Sequence, residues 1–387
     1  MPTPVVIATR RTPIGRAFKG SLAAERPDDL AALVARAVVD GVEGFDPAEI
    51  EDVIVGSAIQ AGPQSMNLGR VVAALAGFPE TVPGSTVNRF CASSLQAVRV
   101  AANAIAAGEG DAYIAAGVES VSQVNGRAFD PEIDANPRFT DRDRPDYVND
   151  MYIPMGMTAE NVAERWDVSR EAMDEYAALS QSRAVAARED GFFAREILPV
   201  TTDDGTVADR DDGIRPGTTT EVLAGLKPVF KEDGRVTAGN SCPLNDGAAA
   251  ALIMAEERAR ELGLPIRARI LATGLSGVAP EVMGIGPIEA IRTALKRAGM
   301  TVGDLDIVEL NEAFAAQVLP ICDEVGIDVE RLNPHGGAIA LGHPFGMTGV
   351  RMLGTLLNGL ETADKQVGMV TMCVAGGQGM ATIFERI

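Results

Sequence analysis

Histidine is nearly absent from this 387-residue chain, with only His335 and His343, and the four cysteines (Cys91, Cys242, Cys322 and Cys373) show no C-x-x-C spacing. So few ligands in that pattern support neither a zinc cage nor a disulfide framework, and a reducing cytoplasm fits. Positive charge is also scarce. With 34 basic against 54 acidic residues the net charge is −20, which disfavours a nucleic acid or an anionic membrane as partner. Exposed charges are screened beyond about 10 Å at 0.1 M salt, so a few local Arg and Lys can still hold an anionic ligand. The longest apolar run, Ala248 to Ala255, is far too short to span a bilayer. The amino terminus lacks a basic-then-apolar signal pattern, and Phe384-Glu385-Arg386-Ile387 is no peroxisomal address. Aromatics are few at 4%, while 41 glycines favour close helix–sheet packing.

The chain is long enough for two or three structural units. Short apolar runs at Val5–Ala8, Val53–Val55 and Tyr113–Ala116 alternate with segments of helical period at Asp29–Val42 and Leu95–Ala107, an α/β pattern. An internal echo links Phe45–Asp52 and the run Val53-Ile54-Val55-Gly56-Ser57 with Met300–Asp306 and the run Ile307-Val308-Glu309-Leu310-Asn311, suggesting two related halves. The middle differs. It carries the charge cluster Asp141–Asp146, a helical stretch from Ser169 to Asp190 and a Gly/Asp-rich segment at Asp203–Gly217, and reads as an inserted lobe. The division expected is 1–120 with 246–270, an insertion at 121–245, and a second half at 271–387.

Four blocks carry candidate chemistry. Cys91 follows the strand-like Ser85–Phe90 and precedes a helix, where the helix amino terminus favours thiolate. With a free pKa near 8.5 only about 3% of a thiol is ionised at pH 7, whereas a pKa of about 6 would ionise roughly 90%. His343 sits in the glycine-dense stretch Gly336–Gly346, where an imidazole can pair with a thiol or donate to an oxyanion. Cys373 ends the apolar run Val367–Met372 and opens Ala375-Gly376-Gly377-Gln378-Gly379, a turn whose amides can bind an oxyanion. Asn311-Glu312-Ala313-Phe314 joins a strand to a helix, and read alone its polar residues are caps. Each block in isolation also has a structural reading: a buried thiol, a hydrogen-bonded imidazole, a sheet-edge turn.

In this order the blocks resemble the thiolase family, and the likeness extends over essentially the whole chain. Met155-Gly156-Met157-Thr158-Ala159-Glu160-Asn161, Asp212–Pro216, Leu226–Phe230, Thr237–Asn240, Asn245–Ala249 and Met283–Pro287 match as well. The resemblance implies two duplicated βαβαβαββ halves in a five-layer αβαβα arrangement, with an inserted loop domain that binds coenzyme A. It implies that Cys91 is the acylated nucleophile, Cys373 the acid/base, and His343 the group that activates Cys91 and helps bind the thioester oxygen. Asn311 would hold a water at that oxyanion site, and the amides of Cys91 and Ala375 would form a second one. Coenzyme A contacts would come from Met155, Arg215, Phe230, Cys242, Ala313 and Phe314, with Arg215 toward phosphate or adenine.

The activity implied is thiolytic cleavage of 3-ketoacyl-CoA by a ping-pong route, with coenzyme A and acyl-CoA as substrates, no permanently bound cofactor and no metal. Family members form homodimers or homotetramers. Cys242 departs from the family's usual serine, and Ala375 from its usual glycine. Pro154, where acetoacetyl-specific members carry histidine, points to the degradative branch. The alternative within the family is an acetoacetyl-CoA-specific enzyme running the condensation. A ketoacyl synthase-like enzyme would lack Cys373, and a non-catalytic acyl-CoA carrier would have lost one of Cys91, His343 or Cys373.

Overall fold

Alternating apolar residues place the amino-terminal segment in the middle of a sheet, because Val5 and Val6 face opposite sides and both are fully buried. The computed structural model describes residues 1–124, 129–130 and 132–387. Its first half runs β1 (Pro4–Arg11), β2 (Gly15–Arg16), α1 (Pro27–Asp40), β3 (Asp52–Gly56), α2 (Leu68–Leu75), β4 (Gly84–Val87), α3 (Ser93–Ala107) and β5 (Ala112–Ser120). The middle holds α4 (Val121–Val124), α5 (Pro137–Thr140), α6 (Met155–Arg165), α7 (Arg170–Glu189), the small hairpin β6 (Val200–Thr201) and β7 (Val207–Ala208), and α8 (Thr220–Ala224). Then come β8 (Asn245–Ala255) and α9 (Glu256–Glu261). The second half follows as β9 (Ala268–Gly277), α10 (Pro287–Ala298), β10 (Ile307–Leu310), α11 (Ala315–Val325), α12 (Ala338–Leu341), α13 (Thr348–Thr362), β11 (Val367–Val374) and β12 (Gln378–Arg386). The expected boundary at 270 therefore cuts β9.

Strand order is β10-β11-β12-β9-β1-β8-β5-β3-β4. The halves meet at a short antiparallel contact between β1 and β9, where Val5 and Val6 face Arg269 and Ala268. Three apolar clusters define the layers. Leu30, Val34 and Val38 of α1 and Val72 of α2 cover Val53, Val55 and Ile114 on the outer face of the first half. Ile291 and Leu295 of α10 and Ile321 of α11 cover Val308, Leu310 and Met369 on the outer face of the second. Between them, Leu95, Val98 and Ile105 of α3 pack with Val350, Leu353 and Leu357 of α13 against Ile54 and Ile253 on one side and Val370 and Phe384 on the other. This is a five-layer αβαβα arrangement.

The duplication holds with one exception. A one-turn 3-10 helix precedes both β3 and β10, at Pro47–Glu49 and Val302–Asp304, matching the sequence echo. The counterpart of β4, however, shrinks to a single parallel bridge between Val308 and Leu332, so the second half lacks a full third strand. Cys91 precedes α3 and His343 precedes α13, so the two residues occupy equivalent positions in the halves.

Among the described residues the middle segment has no separate core. Ala159, Met173, Tyr176 and Leu223 belong to the same cluster as the outer helices of the second half. It is tied to β1 by Arg11, whose fully buried guanidinium bonds Asp211 at 2.7 and 2.9 Å and Glu196 at 2.8 Å.

Candidate active site

Cys91 lies in a 3-10 turn, Phe90–Ala92, that leads directly into α3. Phe90 has φ +44°, left-handed backbone that a bulky residue adopts only under constraint. The constraint is visible: the Phe90 amide donates to Asn88 Oδ1 at 2.8 Å, and the Ser93 hydroxyl donates to the Phe90 carbonyl at 2.6 Å. The turn thereby presents a half-buried sulfur. Burial, followed by the neighbouring Cys373 and Cys242 thiols and Glu119, pushes the Cys91 pKa well above its ordinary value, while the Ala375 amide bonded to the sulfur pulls the other way. The helix-entrance position expected from sequence is present, but its preference for thiolate is outweighed by desolvation and surrounding groups of negative or potentially negative charge. A base is therefore needed to generate the nucleophile.

His343 is buried between α12 and α13. Thr348 Oγ1 gives its one hydrogen to the Pro344 carbonyl at 2.7 Å, so at 2.6 Å from the ring it accepts from His343 Nδ1. That fixes the tautomer. Nε2 is left unprotonated, 3.3 Å from the Asn311 amide nitrogen, which donates to it. Burial and then the nearby Arg351 charge lower the His343 pKa to about 3, so the ring is neutral at physiological pH and Nε2 is a free base. The main chain is pinned by the His343 amide donating to Asn245 Oδ1 at 2.9 Å. Among the described residues Nε2 bonds Asn311 and not Cys91, and Asn311 Oδ1 is buried without a partner.

Cys373 is fully buried near the end of β11, and its thiol donates to Gln317 Oε1 at 3.3 Å. Burial raises its pKa to about 11. Cys242, raised by burial to about 12, interacts electrostatically with Cys373 and with Cys91, so three thiols share one neighbourhood.

An apolar cavity of about 540 Å³ opens beside Cys91, walled by Ile59, Phe90, Met151, Ile153, Met155, Phe345 and Ala375. No charged side chain lines it among the described residues. Met155 begins α6, and the Phe230 ring lies so close over Gly156 that a Cβ there would fall among its ring atoms. Phe230 meets Phe314 edge-on at 6.2 Å, Ser241 pairs with Phe314, and the Cys242 amide bonds the Ala313 carbonyl at 3.0 Å. Met155, Phe230, Cys242, Ala313 and Phe314 are thus linked into one wall. Arg215 is exposed, makes no ion pair among the described residues, and feels the charge of Arg16, which is unpaired as well.

Asn311 and Glu312 are not caps, as α11 begins at Ala315 without a side-chain cap. Glu312 instead accepts from Tyr176, Ser180, Asn333 and the Ile339 amide at 2.7–3.1 Å, joining the middle segment to α12. His335 stacks on Phe192 with centroids 3.6 Å apart, consistent with a structural part. Sequence reasoning missed Gln317, Asn245, Thr348 and Glu119. Only Thr348 left a trace, as a hydroxyl at a helix start just after the imidazole.

Two duplicated halves in five layers, with thiols and a neutral imidazole where they meet, define the class of thiolase-fold enzymes. Residues 4–257 match the family model for the thiolase N-terminal domain and residues 264–386 that for the thiolase C-terminal domain. The chain is 44% identical to the 3-ketoacyl-CoA thiolase of Bacillus subtilis, covering 98% of each. It is 46% identical to the β-ketoadipyl-CoA thiolase of Pseudomonas aeruginosa, covering 97% of each. The dimeric peroxisomal thiolase of Saccharomyces cerevisiae superposes with a TM-score of 0.93 at 37% identity, covering all of this chain and 97% of that one. The chain belongs to the thiolase family and is an acyltransferase.

The Phe230 wall gives a test away from the thiols. Gly156→Ala puts a methyl where the Phe230 ring lies, so the ring must move off the wall. The expected result is a several-fold rise in KM for coenzyme A, on the order of 1 kcal/mol of lost contact, with kcat nearly unchanged. Steady-state kinetics with coenzyme A varied would check it, and an unchanged KM would remove Phe230 from the binding surface.

Proposed function

We propose that this chain cleaves a 3-ketoacyl-CoA with free coenzyme A, giving acetyl-CoA and an acyl-CoA shortened by two carbons, as in fatty-acid β-oxidation. The observation that carries the reading is the pair of neighbouring thiols, Cys91 and Cys373, with Cys91 opening on an uncharged apolar cavity. His343 Nε2 takes the Cys91 proton as substrate enters, and the sulfur attacks the 3-keto carbon. The bond between the second and third carbons breaks, its electron pair stays with the acetyl-CoA enolate, and Cys373 supplies the proton. The shortened acyl group remains on Cys91. Incoming coenzyme A gives its thiol proton to Cys373 and attacks the acyl carbon, and Cys91 leaves as thiolate and takes its proton back from His343 Nε2.

Oxyanion stabilisation is assigned to His343 with a water held by Asn311 at one carbonyl, and to the Cys91 and Ala375 amides at the other. The Ala375 amide already faces the Cys91 sulfur, which supports that assignment. Met155, Phe230, Cys242, Ala313 and Phe314 hold the pantetheine arm, and Arg215 with Arg16 meets phosphate, neither cation having a carboxylate partner among the described residues. The uncharged cavity favours an unsubstituted acyl chain over a dicarboxylate, and its volume favours chains longer than acetoacetyl.

The functional chain is a cytoplasmic homodimer or homotetramer, a reading supported by its free cysteines and by the dimeric yeast neighbour. Its units are 1–120 with 246–267, the coenzyme A-binding segment 121–245, and a second half that takes in all of β9 from Ala268 onward. Acetoacetyl-CoA and a longer 3-ketoacyl-CoA assayed side by side with coenzyme A test the activity. Faster cleavage of the longer substrate is expected, preference for acetoacetyl-CoA would reverse the chain-length reading, and cleavage of neither would leave a carrier.

A further inference from the structure

Glu119 is fully buried near the end of β5, and no lysine or arginine pairs with it among the described residues. Its carboxylate is nevertheless saturated. Oε2 accepts from the Ala58 and Gly346 amides, both at 2.9 Å, and Oε1 from Gln64 Nε2 at 2.6 Å and the Ile59 amide at 3.2 Å. A carboxylate with donors on every side is a fixed acceptor, because each N–H left without it would be buried and unpaired.

The donors come from separate segments that all reach the acyl-transfer site. Ala58 and Ile59 wall the acyl cavity. The Ala58 carbonyl accepts from Asn88 Nδ2 at 2.9 Å, and Asn88 Oδ1 in turn holds the strained Phe90 amide next to Cys91. Gly346 follows Phe345, another wall residue, three positions after His343, and its carbonyl accepts from the Ser94 amide at 3.2 Å. Gly346 lies so near the Val118 carbonyl that a side chain there would collide with it, so the loop has no slack to relocate. Burial raises the Glu119 pKa to about 7 against the opposing pull of its four donors.

We propose that Glu119 is a positioning residue of the acyl-transfer site, clamping the Ala58–Ile59 wall to the His343-bearing loop and so setting both the Cys91 turn and the width of the acyl cavity. It does not line the acyl cavity, and its hydrogen bonds go to Ala58, Ile59, Gln64 and Gly346 rather than to the Cys91 sulfur. The proposal rests on the reading of Cys91 and His343 given above.

Glu119→Gln turns one acceptor oxygen into an NH₂ that confronts buried N–H groups and should loosen the clamp. Gln64→Met is the milder variant, keeping the carboxylate and its three backbone donors. Rates are measured per alkylatable Cys91, so that loss of folded protein does not count. In Glu119→Gln the rate is expected to fall by about a hundredfold, the cost of a displacement of roughly 1 Å at reacting groups. The ratio of kcat/KM between long-chain substrate and acetoacetyl-CoA is expected to move by roughly tenfold, about what one methylene contributes in a fitted pocket. Gln64→Met should shift both in the same direction by less, and it decides alone if the first variant does not fold. Normal per-thiol rates with an unmoved chain-length ratio overturn the proposal. Absence of cleavage by the unsubstituted protein overturns the reading of the site itself, and this one with it.

Discussion

Cys91→Ser is expected to stop acyl-enzyme formation and to cut turnover by on the order of 10⁴-fold or more. The hydroxyl is near-isosteric at a half-buried position, so the turn and the fold should survive. What disappears is a nucleophile that a neutral imidazole can deprotonate, because an alcohol lies far above a thiol in pKa even where burial has already raised the thiol. Intact-mass measurement after mixing with a 3-ketoacyl-CoA and no coenzyme A reads the step directly. The unsubstituted protein should gain one acyl mass and the serine variant none. Acyl mass on the variant, mapped to Cys242 or Cys373, would move the nucleophile to one of the other thiols in the same neighbourhood.

His343→Ala should cost at least about 3 kcal/mol in kcat, roughly a hundredfold, the usual loss for a single oxyanion donor. The ring is held from both sides by Thr348 and Asn311 and is neutral, so in the mechanism proposed above its removal takes away the base and an oxygen-binding group together. KM for the acyl-CoA should change little, since the wall proposed to hold coenzyme A is built from other segments. Near-normal turnover of this variant would exclude the role. Alkylation of Cys91 by iodoacetamide supplies a control, reporting whether the sulfur is still presented in the variant.

Local pattern carried much of the architecture. The helical segment read at Asp29–Val42 became α1, with Leu30, Val34 and Val38 buried but Leu33 left exposed, and Ser169 and Asp190, read as the ends of a helix, flank α7 as its caps. The internal echo survived as two 3-10 turns leading into equivalent strands. What failed to read depends on contacts distant in sequence. The missing third strand of the second half follows from Leu332 making only one bridge to Val308, which no local propensity reports. Glu312 resembled a cap because its donors, Tyr176, Ser180, Asn333 and Ile339, lie in other segments. The raised pKa of Cys91 has the same origin: a helix entrance is visible in sequence, whereas its burial and the neighbouring Cys373, Cys242 and Glu119 are not.

The equivalence of Cys91 and His343 across the duplication has a further meaning. In the proposed mechanism one repeat furnishes the nucleophilic sulfur and its twin the proton acceptor, each just ahead of a helix in the shared central layer, so neither repeat on its own holds a complete set of reacting groups. A chain cut near Gly263 should consequently yield two chemically silent fragments, and any ancestor made of a single repeat would have had to borrow its missing partner from a second molecule.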